Sequence, residues 1–284
     1  MKVAVRGIDL FFDVDGSKLA LDGPWMRERP TVVLLHTGPG IDHSFYKDHV
    51  GPALAESAQV VYLDLRGSGR SDWSEPEHWT FDSWVEDVRE FLEVLEIERP
   101  VVLGTAFGGS IALLLAARHP DAVGRLVLVS TVARYVQGRA IAMLDRLGGP
   151  EAGDIAARYF AEPSQTTFAD FLRVCVPLYT RNPLSPDAIA RIQMNFELIM
   201  AWEREGSRRF DLREEAAHVT CPTLVLAGED DPSTTIAGAE ELAEALPAGL
   251  ARFERYADTG HGVFRDRPEA IELVRDFLAP AEPA

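Results

Sequence analysis

One strand-to-helix connection has the residue spacing of a turn that carries a catalytic nucleophile. Residues Val101–Ile111 read VVLGTAFGGSI, with β-branched residues before Ala106 and an apolar helical pattern after it. Gly104 and Gly108 stand two positions either side of Ala106, where a sharp turn leaves no space for larger side chains. The helix N-terminus would direct N–H groups at the central residue, which suits a nucleophile whose attack creates an oxyanion. The methyl group of Ala106 cannot attack, and a glycine-rich connection of any α/β protein is the alternative interpretation.

Acidic residues and a histidine follow two later predicted strands. GEDDP (Gly228–Pro232) comes after an apolar run, and His261 stands in DTGHG (Asp258–Gly262) after the next run. HTGPG (His36–Gly40) follows an earlier strand. A turn there can direct a backbone N–H toward the sharp turn at Ala106, called the elbow below, where the backbone N–H of Phe107 also points. The ordinary alternatives are a Gly-Pro turn, a helix-capping carboxylate and a structural histidine. The order elbow, acid, histidine, each after a strand, is that of one lineage of catalytic triads.

Strands and helices alternate around these loops. Short β-rich runs predict strands at Lys2–Arg6, Leu10–Val14, Thr31–His36, Gln59–Leu63, Val101–Gly104, Arg125–Val129, Cys221–Ala227 and Ala251–Tyr256. Apolar residues at three- and four-residue spacing predict helices at Thr80–Ile97, Phe107–His119, Ile236–Leu246 and Pro268–Leu278. This alternation predicts an α/β fold with a mostly parallel central sheet flanked by helices.

The segment between Thr131 and Glu215 has a different pattern. It contains helical periodicity without a convincing strand, interrupted by prolines such as Pro150, Pro163 and Pro177. We therefore predict one α/β core, residues 1–130 and 216–284, with a helical insertion over residues 131–215 that follows the sixth strand.

Composition excludes several classes of partner. The 284 residues include 28 basic and 45 acidic side chains, a formal charge of −17, which disfavours binding to nucleic acids or anionic membranes. Cys175 and Cys221 are far apart and form no CxxC motif, which is typical of reduced thiols. No apolar run approaches the roughly 18 residues of a membrane span. The N-terminus lacks a signal peptide pattern, so we predict a cytoplasmic protein.

Together these motifs resemble those of the α/β-hydrolases, and more narrowly those of the prolyl iminopeptidase branch. HTGPG is similar to the HGGPG of that branch, and DLRGSGRS (Asp64–Ser71) is similar to its D-x-RG-x-G-x-S run. GTAFGG (Gly104–Gly109) matches a G-x-S-x-G-G elbow except at its centre. GEDDP and GHGVFRDRPE (Gly260–Glu269) match the acid and histidine loops. The resemblance spans both halves of the α/β core, and the insertion resembles the helical cap of that branch only loosely.

The resemblance implies a role for each residue of a catalytic triad. Ala106 stands at the nucleophile position, where the family has serine, and His261 stands at the position of the general base. Asp231 matches the acid by the family spacing Gly-x-x-Asp counted from Gly228, with Asp230 as the alternative. Such a triad acts by an acyl-enzyme mechanism and uses no cofactor.

The resemblance also assigns the oxyanion donors and part of the scaffold. Gly38 and Phe107 would supply the backbone N–H groups of the oxyanion hole. Thr37 replaces the first glycine of the family motif, so this loop differs in detail. Asp64 and Arg66 are interpreted as residues that stabilise their loop. The remaining histidines lack HExxH or similar spacing, and no metal site is implied: His43, His49, His78, His119 and His218.

Three hypotheses account for Ala106. The chain is a Ser→Ala variant of a serine hydrolase, a natural ligand-binding protein on a hydrolase scaffold, or an enzyme in which His261 and Asp231 alone remove a proton from a substrate. The last arrangement resembles some cofactor-free oxygenases and lyases of this superfamily.

The substrate is less well defined by the sequence. An iminopeptidase must bind a free amine, for which Glu197, Glu203 and Glu205 near Trp202 are candidates, although a solvated helix face explains them equally well. Thr37 is a further candidate contact. Apolar residues of the insertion would suit an ester, a lactone or a bulkier amide, or pack only among themselves: Phe168, Phe171, Tyr179, Met194, Phe196, Met200 and Trp202. We expect a small molecule or a short peptide, and the sequence does not indicate the oligomeric state.

Overall fold

An eight-stranded, mostly parallel sheet forms the centre of the molecule. The computed structural model describes residues 1–206 and 210–278. The strands are β1 (Lys2–Val5), β2 (Ile8–Asp15), β3 (Leu19–Asp22), β4 (Trp25–Glu28), β5 (Thr31–Leu35), β6 (Gln59–Leu63), β7 (Val101–Thr105), β8 (Arg125–Val129), β9 (Thr223–Gly228) and β10 (Ala251–Tyr256). The sheet order is β1-β2-β6-β5-β7-β8-β9-β10, and every pair from β6 to β10 is parallel. All eight predicted strands are present in this sheet, with ends that differ by at most a few residues.

Twelve α-helices lie within the described residues. They are α1 (Val50–Ala55), α2 (Phe81–Val94), α3 (Phe107–Arg118), α4 (Gln137–Gly148), α5 (Pro150–Ala161), α6 (Gln165–Val174), α7 (Pro186–Arg191), α8 (Phe196–Ala201), α9 (Arg213–Ala216), α10 (Ile236–Ala245), α11 (Val263–Asp266) and α12 (Ala270–Leu278). Over residues 1–206 and 210–278, none is both long and apolar enough to cross a bilayer. The cytoplasmic location stays a prediction, and residues 279–284 of the predicted core lie outside the described part.

Apolar residues of each central strand serve both faces of the sheet, because successive side chains point to opposite sides. In β5, Val33 and Leu35 pack in the apolar cluster that includes α2 and α3. Val32 and Leu34 pack in the second cluster, with residues of α1 and α12. All four are fully buried. The two clusters fix β5 and its neighbours rigidly, and the predicted site residues follow the ends of these strands.

The inserted helical segment, residues 131–215, connects β8 to β9. The strand counted sixth in the sequence is β8, and α4 to α9 follow it. These helices have an apolar cluster of their own, which includes Leu144, Tyr159 and Phe171. An antiparallel bridge between Arg134 and Asp211 closes the base of the segment. Its limits at residues 131 and 215 stay a prediction.

Ion pairs join the inserted helical segment to the rest of the chain. Its arginines pair with three carboxylates outside it: Arg134 and Arg139 with Glu241, Arg146 and Arg181 with Asp230, and Arg191 with Asp48. The carboxylates belong to α10, to the loop after β9 and to the segment before α1, so the inserted segment is joined to three separate parts of the core.

A hairpin that the sequence analysis did not predict stands outside the main sheet. β3 and β4 pair only with each other, and the Asp22-Gly23 dipeptide begins their turn. Leu21 and Trp25 are 85% and 75% exposed. The sequence analysis names no strand between Val14 and Thr31, because apolar residues in this hairpin face solvent rather than a core.

Candidate active site

The connection between β7 and α3 is a strained, sharp turn. Ala106 has φ 51° and ψ −113°, a backbone conformation that costs a residue with a Cβ about 1–3 kcal/mol. A Cβ on Gly104 would lie 2.3 Å from the carbonyl oxygen of Gly108. One on Gly108 would lie 2.2 Å from the carbonyl oxygen of Leu35 at the end of β5. The glycine spacing noted in the sequence is therefore a steric requirement of this turn.

Asp231 and His261 form a buried acid–imidazole pair. Oδ2 of Asp231 lies 2.9 Å from Nδ1 of His261, and Thr234 donates its hydroxyl to the same carboxylate oxygen at 2.6 Å. The backbone N–H groups of Ser233 and Thr234 donate to Oδ1 at 2.8 and 2.9 Å. Burial opposes the ionisation of Asp231, but the imidazole and these donors outweigh it and lower the pKa of the carboxyl. The ionised Asp231 accepts a hydrogen bond from Nδ1–H of His261, so Nε2 is the ring nitrogen without a proton.

The backbone of His261 is fixed from two sides. Its N–H donates to the carbonyl oxygen of Tyr179 at 2.6 Å, and its carbonyl oxygen accepts from the hydroxyl of Ser130 at 2.8 Å. Tyr179 belongs to the inserted helical segment, whereas Ser130 directly follows β8. The imidazole loop is thus held between the sheet and the insertion.

The structure distinguishes the two candidate acids. Asp230 points to the inserted helical segment, where Arg146 and Arg181 lower the pKa of its partly buried carboxyl against the effect of burial. Asp231 alone of the two contacts His261. The family spacing and the geometry therefore agree on Asp231.

The loop after β5 is ordered by the side chain of His36. The backbone N–H of Leu65 donates to Nε2 of His36 at 3.0 Å, so the ring proton resides on Nδ1. Nδ1 donates to the carbonyl oxygen of Thr37 at 2.6 Å. Burial lowers the pKa of His36, which keeps the ring neutral and in this tautomer. Since C=O and N–H of a trans peptide point in opposite directions, the N–H of Gly38 faces away from His36.

Tyr46 joins this loop to the elbow. Its hydroxyl lies 3.0 Å from the carbonyl oxygen of Leu35 and 2.7 Å from Oγ1 of Thr105, the residue before Ala106. Leu35 and Gly104 are the last register partners of β5 and β7. The phenol therefore extends the contact between these strands beyond the point where their pairing ends.

A cavity of about 180 Å³ lies between the sheet edge and the inserted helical segment. Gly38, Ala106 and Phe107 line it on the core side, together with Ser110 and Thr234. Most of its remaining wall is aromatic: Tyr135, Tyr159, Phe160, Phe168, Phe171, Tyr179, Trp202 and Phe210. The space is suited to a small, largely apolar group next to Ala106.

The predicted substrate contacts divide into two groups. Trp202 and Glu203 line the cavity. Glu197 is exposed on α8, and neither it nor Thr37 is among the lining residues. Of the apolar residues named above, Met194 and Phe196 are 52% and 40% exposed, and Met200 is buried in the helical cluster instead.

Asp64 and Arg66 stabilise the loop after β6. Asp64 accepts from Nδ1 of His43 at 2.7 Å and from the N–H of Arg70 at 2.9 Å. Arg66 forms a bidentate ion pair with Asp87 of α2, in which Nε donates to Oδ2 at 2.6 Å and Nη2 donates to Oδ1 at 2.7 Å. Within residues 1–206 and 210–278, no group of three or more His, Cys, Asp or Glu side chains is arranged to bind a metal ion.

Comparison with known proteins identifies the family of this fold and site. A family model described as alpha/beta hydrolase fold matches residues 30–268. The chain belongs to the α/β-hydrolase fold family. One relative is the putative carbamate hydrolase RutD of Caulobacter sp. (strain K31), 30% identical over 268 residues, which are 94% of this chain and 97% of that protein.

Solved structures of α/β-hydrolases are similar over nearly the whole chain. The enol-lactonase from Burkholderia xenovorans LB400 has a TM-score of 0.72 and 25% identity, and the match covers 98% of this chain and 99% of the enzyme. The proline iminopeptidase of Mycobacterium smegmatis has a TM-score of 0.76 and 22% identity, with 98% and 97% covered. The second likeness concerns the fold alone.

Several residues of this α/β-hydrolase site were not predicted from the sequence. Thr234 on Asp231 had a signal, since an Asp followed three residues later by Thr is a common local hydrogen-bonding pattern. Tyr46 and Ser110 had none, because each looks like an ordinary residue of a helical stretch. Tyr135 and Tyr159 come from the insertion, whose folding onto the core the sequence pattern does not specify.

Proposed function

We propose that this site is that of a serine hydrolase in which Ala106 occupies the nucleophile position. With serine there, the protein would cleave a small amide, ester or lactone through an acyl-enzyme intermediate. The contact between buried Asp231 and Nδ1 of His261 carries this proposal. An acid–imidazole pair of this kind, with a strained elbow at the same sheet edge, can activate a hydroxyl group as a nucleophile. The sequence is thus best explained as an inactivated Ser→Ala form of an aminopeptidase- or esterase-like enzyme.

The proposed mechanism assigns a role to each group. A hydroxyl at position 106 attacks the acyl carbon while Nε2 of His261 takes its proton, and Asp231 stabilises the resulting imidazolium. The N–H groups of Phe107 and Gly38 bind the oxyanion, with Gly38 oriented through Thr37 and His36. His261 then protonates the leaving group, and water releases the acyl group by the same steps.

We propose that the inserted helical segment, residues 131–215, is a cap over the site. It contributes most of the aromatic wall of the cavity and one of the two backbone contacts of His261. A cap of this kind excludes water from the acyl-enzyme and limits the size of the acyl group.

The related proteins cleave different bonds, so the bond type is a separate proposal. We favour a substrate with a free amine, as in an aminopeptidase, because the acidic residue Glu203 lines the cavity. An ester or lactone without an amine is the second candidate, supported by the largely aromatic lining.

Restoration of the hydroxyl tests the proposal. Ala106→Ser is assayed beside the unchanged chain with proline arylamides, p-nitrophenyl esters and lactones. We expect hydrolysis only in the variant, with a gain on the order of 10⁴- to 10⁶-fold, the usual loss when a triad nucleophile is removed. Ala106→Ser combined with His261→Gln is the matched control and should remain at the background rate.

Three outcomes would redirect the proposal. No gain with any substrate would contradict the hydrolase and favour a binding protein. Oxygen consumption or lyase turnover by the unchanged chain would favour proton abstraction by His261 and Asp231 alone. The aminopeptidase assignment would be contradicted if Ala106→Ser cleaved esters but no free-amine substrate. Ester cleavage that is unchanged by Glu203→Gln would support the same conclusion.

A further inference from the structure

Three residues of the cavity wall have a hydroxyl with no hydrogen-bond partner in the described part of the chain, namely Ser110, Tyr135 and Tyr159, and the first and last of them are buried. Ser110 is 3% exposed and Tyr159 is 2% exposed, and both line the cavity beside Ala106. Ser110 lies on α3, and Tyr159 lies on α5 of the inserted helical segment. The two hydroxyls therefore come from opposite walls of the space that would receive the acyl group.

Several buried hydroxyls outside the cavity are paired within the protein, although Oγ of Ser74 is not. Tyr46 donates to Leu35, Ser71 donates to the carbonyl oxygen of Asp64 at 2.5 Å, and Ser130 donates to that of His261 at 2.8 Å. Neither hydroxyl oxygen belongs to the inaccessible unpaired atoms of the described chain, so both are open to the space of the cavity. Alanine at 110 and phenylalanine at 159 would fill the wall equally well without a hydroxyl. The two hydroxyls of Ser110 and Tyr159 are therefore available to a ligand in the cavity and gain a hydrogen-bond partner when it binds.

The helix geometry gives the distance from the reacting carbon to this polar position. Ser110 is four residues after Ala106, about 6 Å along the axis of α3 at 1.5 Å per residue. A group bonded to Ser110 would therefore lie three to four bonds away from a carbonyl carbon held next to Ala106. Burial raises the pKa of Tyr159, so its phenol remains protonated and able to donate.

We propose that the cavity binds an acyl group that carries a keto oxygen three to four bonds from the scissile carbonyl. The keto oxygen has two lone pairs and accepts hydrogen bonds from Ser110 and Tyr159. The flanking methylene groups contact the aromatic wall, including Phe171, whose ring centroid is 4.6 Å from that of Tyr159. The inference rests on the proposed function only in placing the acyl carbon at Ala106.

Binding to the unchanged chain tests the cavity without catalysis. Isothermal titration compares 4-oxopentanoate with pentanoate, which has the same length without the keto oxygen. We expect the Kd of 4-oxopentanoate to be about 10-fold lower, as two net hydrogen bonds allow. Ser110→Ala and Tyr159→Phe should each remove about 3- to 5-fold of this preference and leave pentanoate binding unchanged. Equal binding of the two acids, or no binding of 4-oxopentanoate, would overturn the proposal.

Stability measurements separate this role from a structural one. Both variants delete only a hydroxyl, and the thermal midpoints should change little, since neither hydroxyl bonds to another group in the described part of the chain. Tyr256→Phe, a hydroxyl deletion on β10 and outside the cavity lining, is the matched control and should keep the full preference. A preference that survives in both cavity variants would refute the assignment of these hydroxyls.

A kinetic comparison distinguishes this inference from the proposed function. Ala106→Ser should hydrolyse p-nitrophenyl 4-oxopentanoate with a kcat/KM about 10-fold above that for the pentanoate ester. Hydrolysis without this preference would refute the keto-acyl site and leave the hydrolase assignment standing. Absent hydrolysis, with a binding preference that depends on Ser110 and Tyr159, would refute the hydrolase assignment and leave the site standing.

Discussion

Gly108 offers a sharp test of how the site is built. In Gly108→Ala, the added Cβ would lie 2.2 Å from the carbonyl oxygen of Leu35 and 2.4 Å from that of His36. Ordinary van der Waals contact begins at 3.4 Å, so α3 and the loop after β5 must separate by about 1 Å. Both obstacles are backbone atoms at a buried strand end, which no side-chain rotation relieves.

The expected magnitude follows from two opposing effects. Overpacking of a buried site costs about 1–3 kcal/mol, and the upper end applies because backbone must move. Alanine in a helix favours folding over glycine by at most about 1 kcal/mol. We therefore expect Gly108→Ala to lower the free energy of unfolding by about 2 kcal/mol or more.

Gly138→Ala is the matched control, because a Cβ there meets nothing within 4 Å and Gly138 is in α4. It should raise the free energy of unfolding by about 0.5 kcal/mol. Urea denaturation followed by circular dichroism measures both variants, with the midpoints compared at equal m. If Gly108→Ala is as stable as the parent, the close approach of α3 to β5 is not the constraint that we describe.

Three further predictions concern neighbouring residues. Ala106→Gly should raise the free energy of unfolding by about 1 kcal/mol in a thermal melt, because glycine adopts φ 51° without strain; a loss of stability would contradict the strained elbow. Tyr46→Phe should destabilise by about 1–2 kcal/mol, and a double-mutant cycle with Thr105→Val should be non-additive; simple additivity would contradict the bridge. Since burial lowers the pKa of His36, the unfolded chain binds its proton first, and stability should fall as pH decreases from about 6.5. His36→Gln should remove up to about 1.4 kcal/mol per pH unit of that slope, measured by urea titrations between pH 7 and 5; an identical slope would refute it.

The main sheet was predictable because its strands are apolar runs that only a doubly covered sheet can bury. Val32 to Leu35 and Leu224 to Leu226 are fully buried in consecutive positions, and such runs stand out in a sequence. The hairpin of β3 and β4 was missed for the converse reason. Leu21 and Trp25 face solvent, so their hydrophobicity carried no information about a core, and only Asp22-Gly23 marked the turn.

The candidate site was predictable where loop residues follow strand ends, and not where tertiary packing decides. Asp231 and His261 follow adjacent strands in the sheet, which brings them together once the strand order is known. The walls of the cavity depend on how the insertion folds over the core. Glu203 and Glu197 lie on neighbouring helical turns, yet only Glu203 lines the cavity. Periodicity alone does not tell which face of such a helix is covered.

The boundary between the inserted helical segment and the core has positive side chains on one side and negative side chains on the other. In the part of the chain that the structure describes, every ion pair across it has arginine on the inserted side and a carboxylate of Asp48, Asp230 or Glu241 on the other. Partly exposed pairs of this kind add little stability, about 0–1 kcal/mol each. Their greater effect is on which core the inserted helical segment fits, because a core without these acids leaves the arginine side chains of the segment without their carboxylate partners. Transplanting this segment into a relative would therefore succeed only where the recipient carries acids at these three positions, or receives them together with the graft.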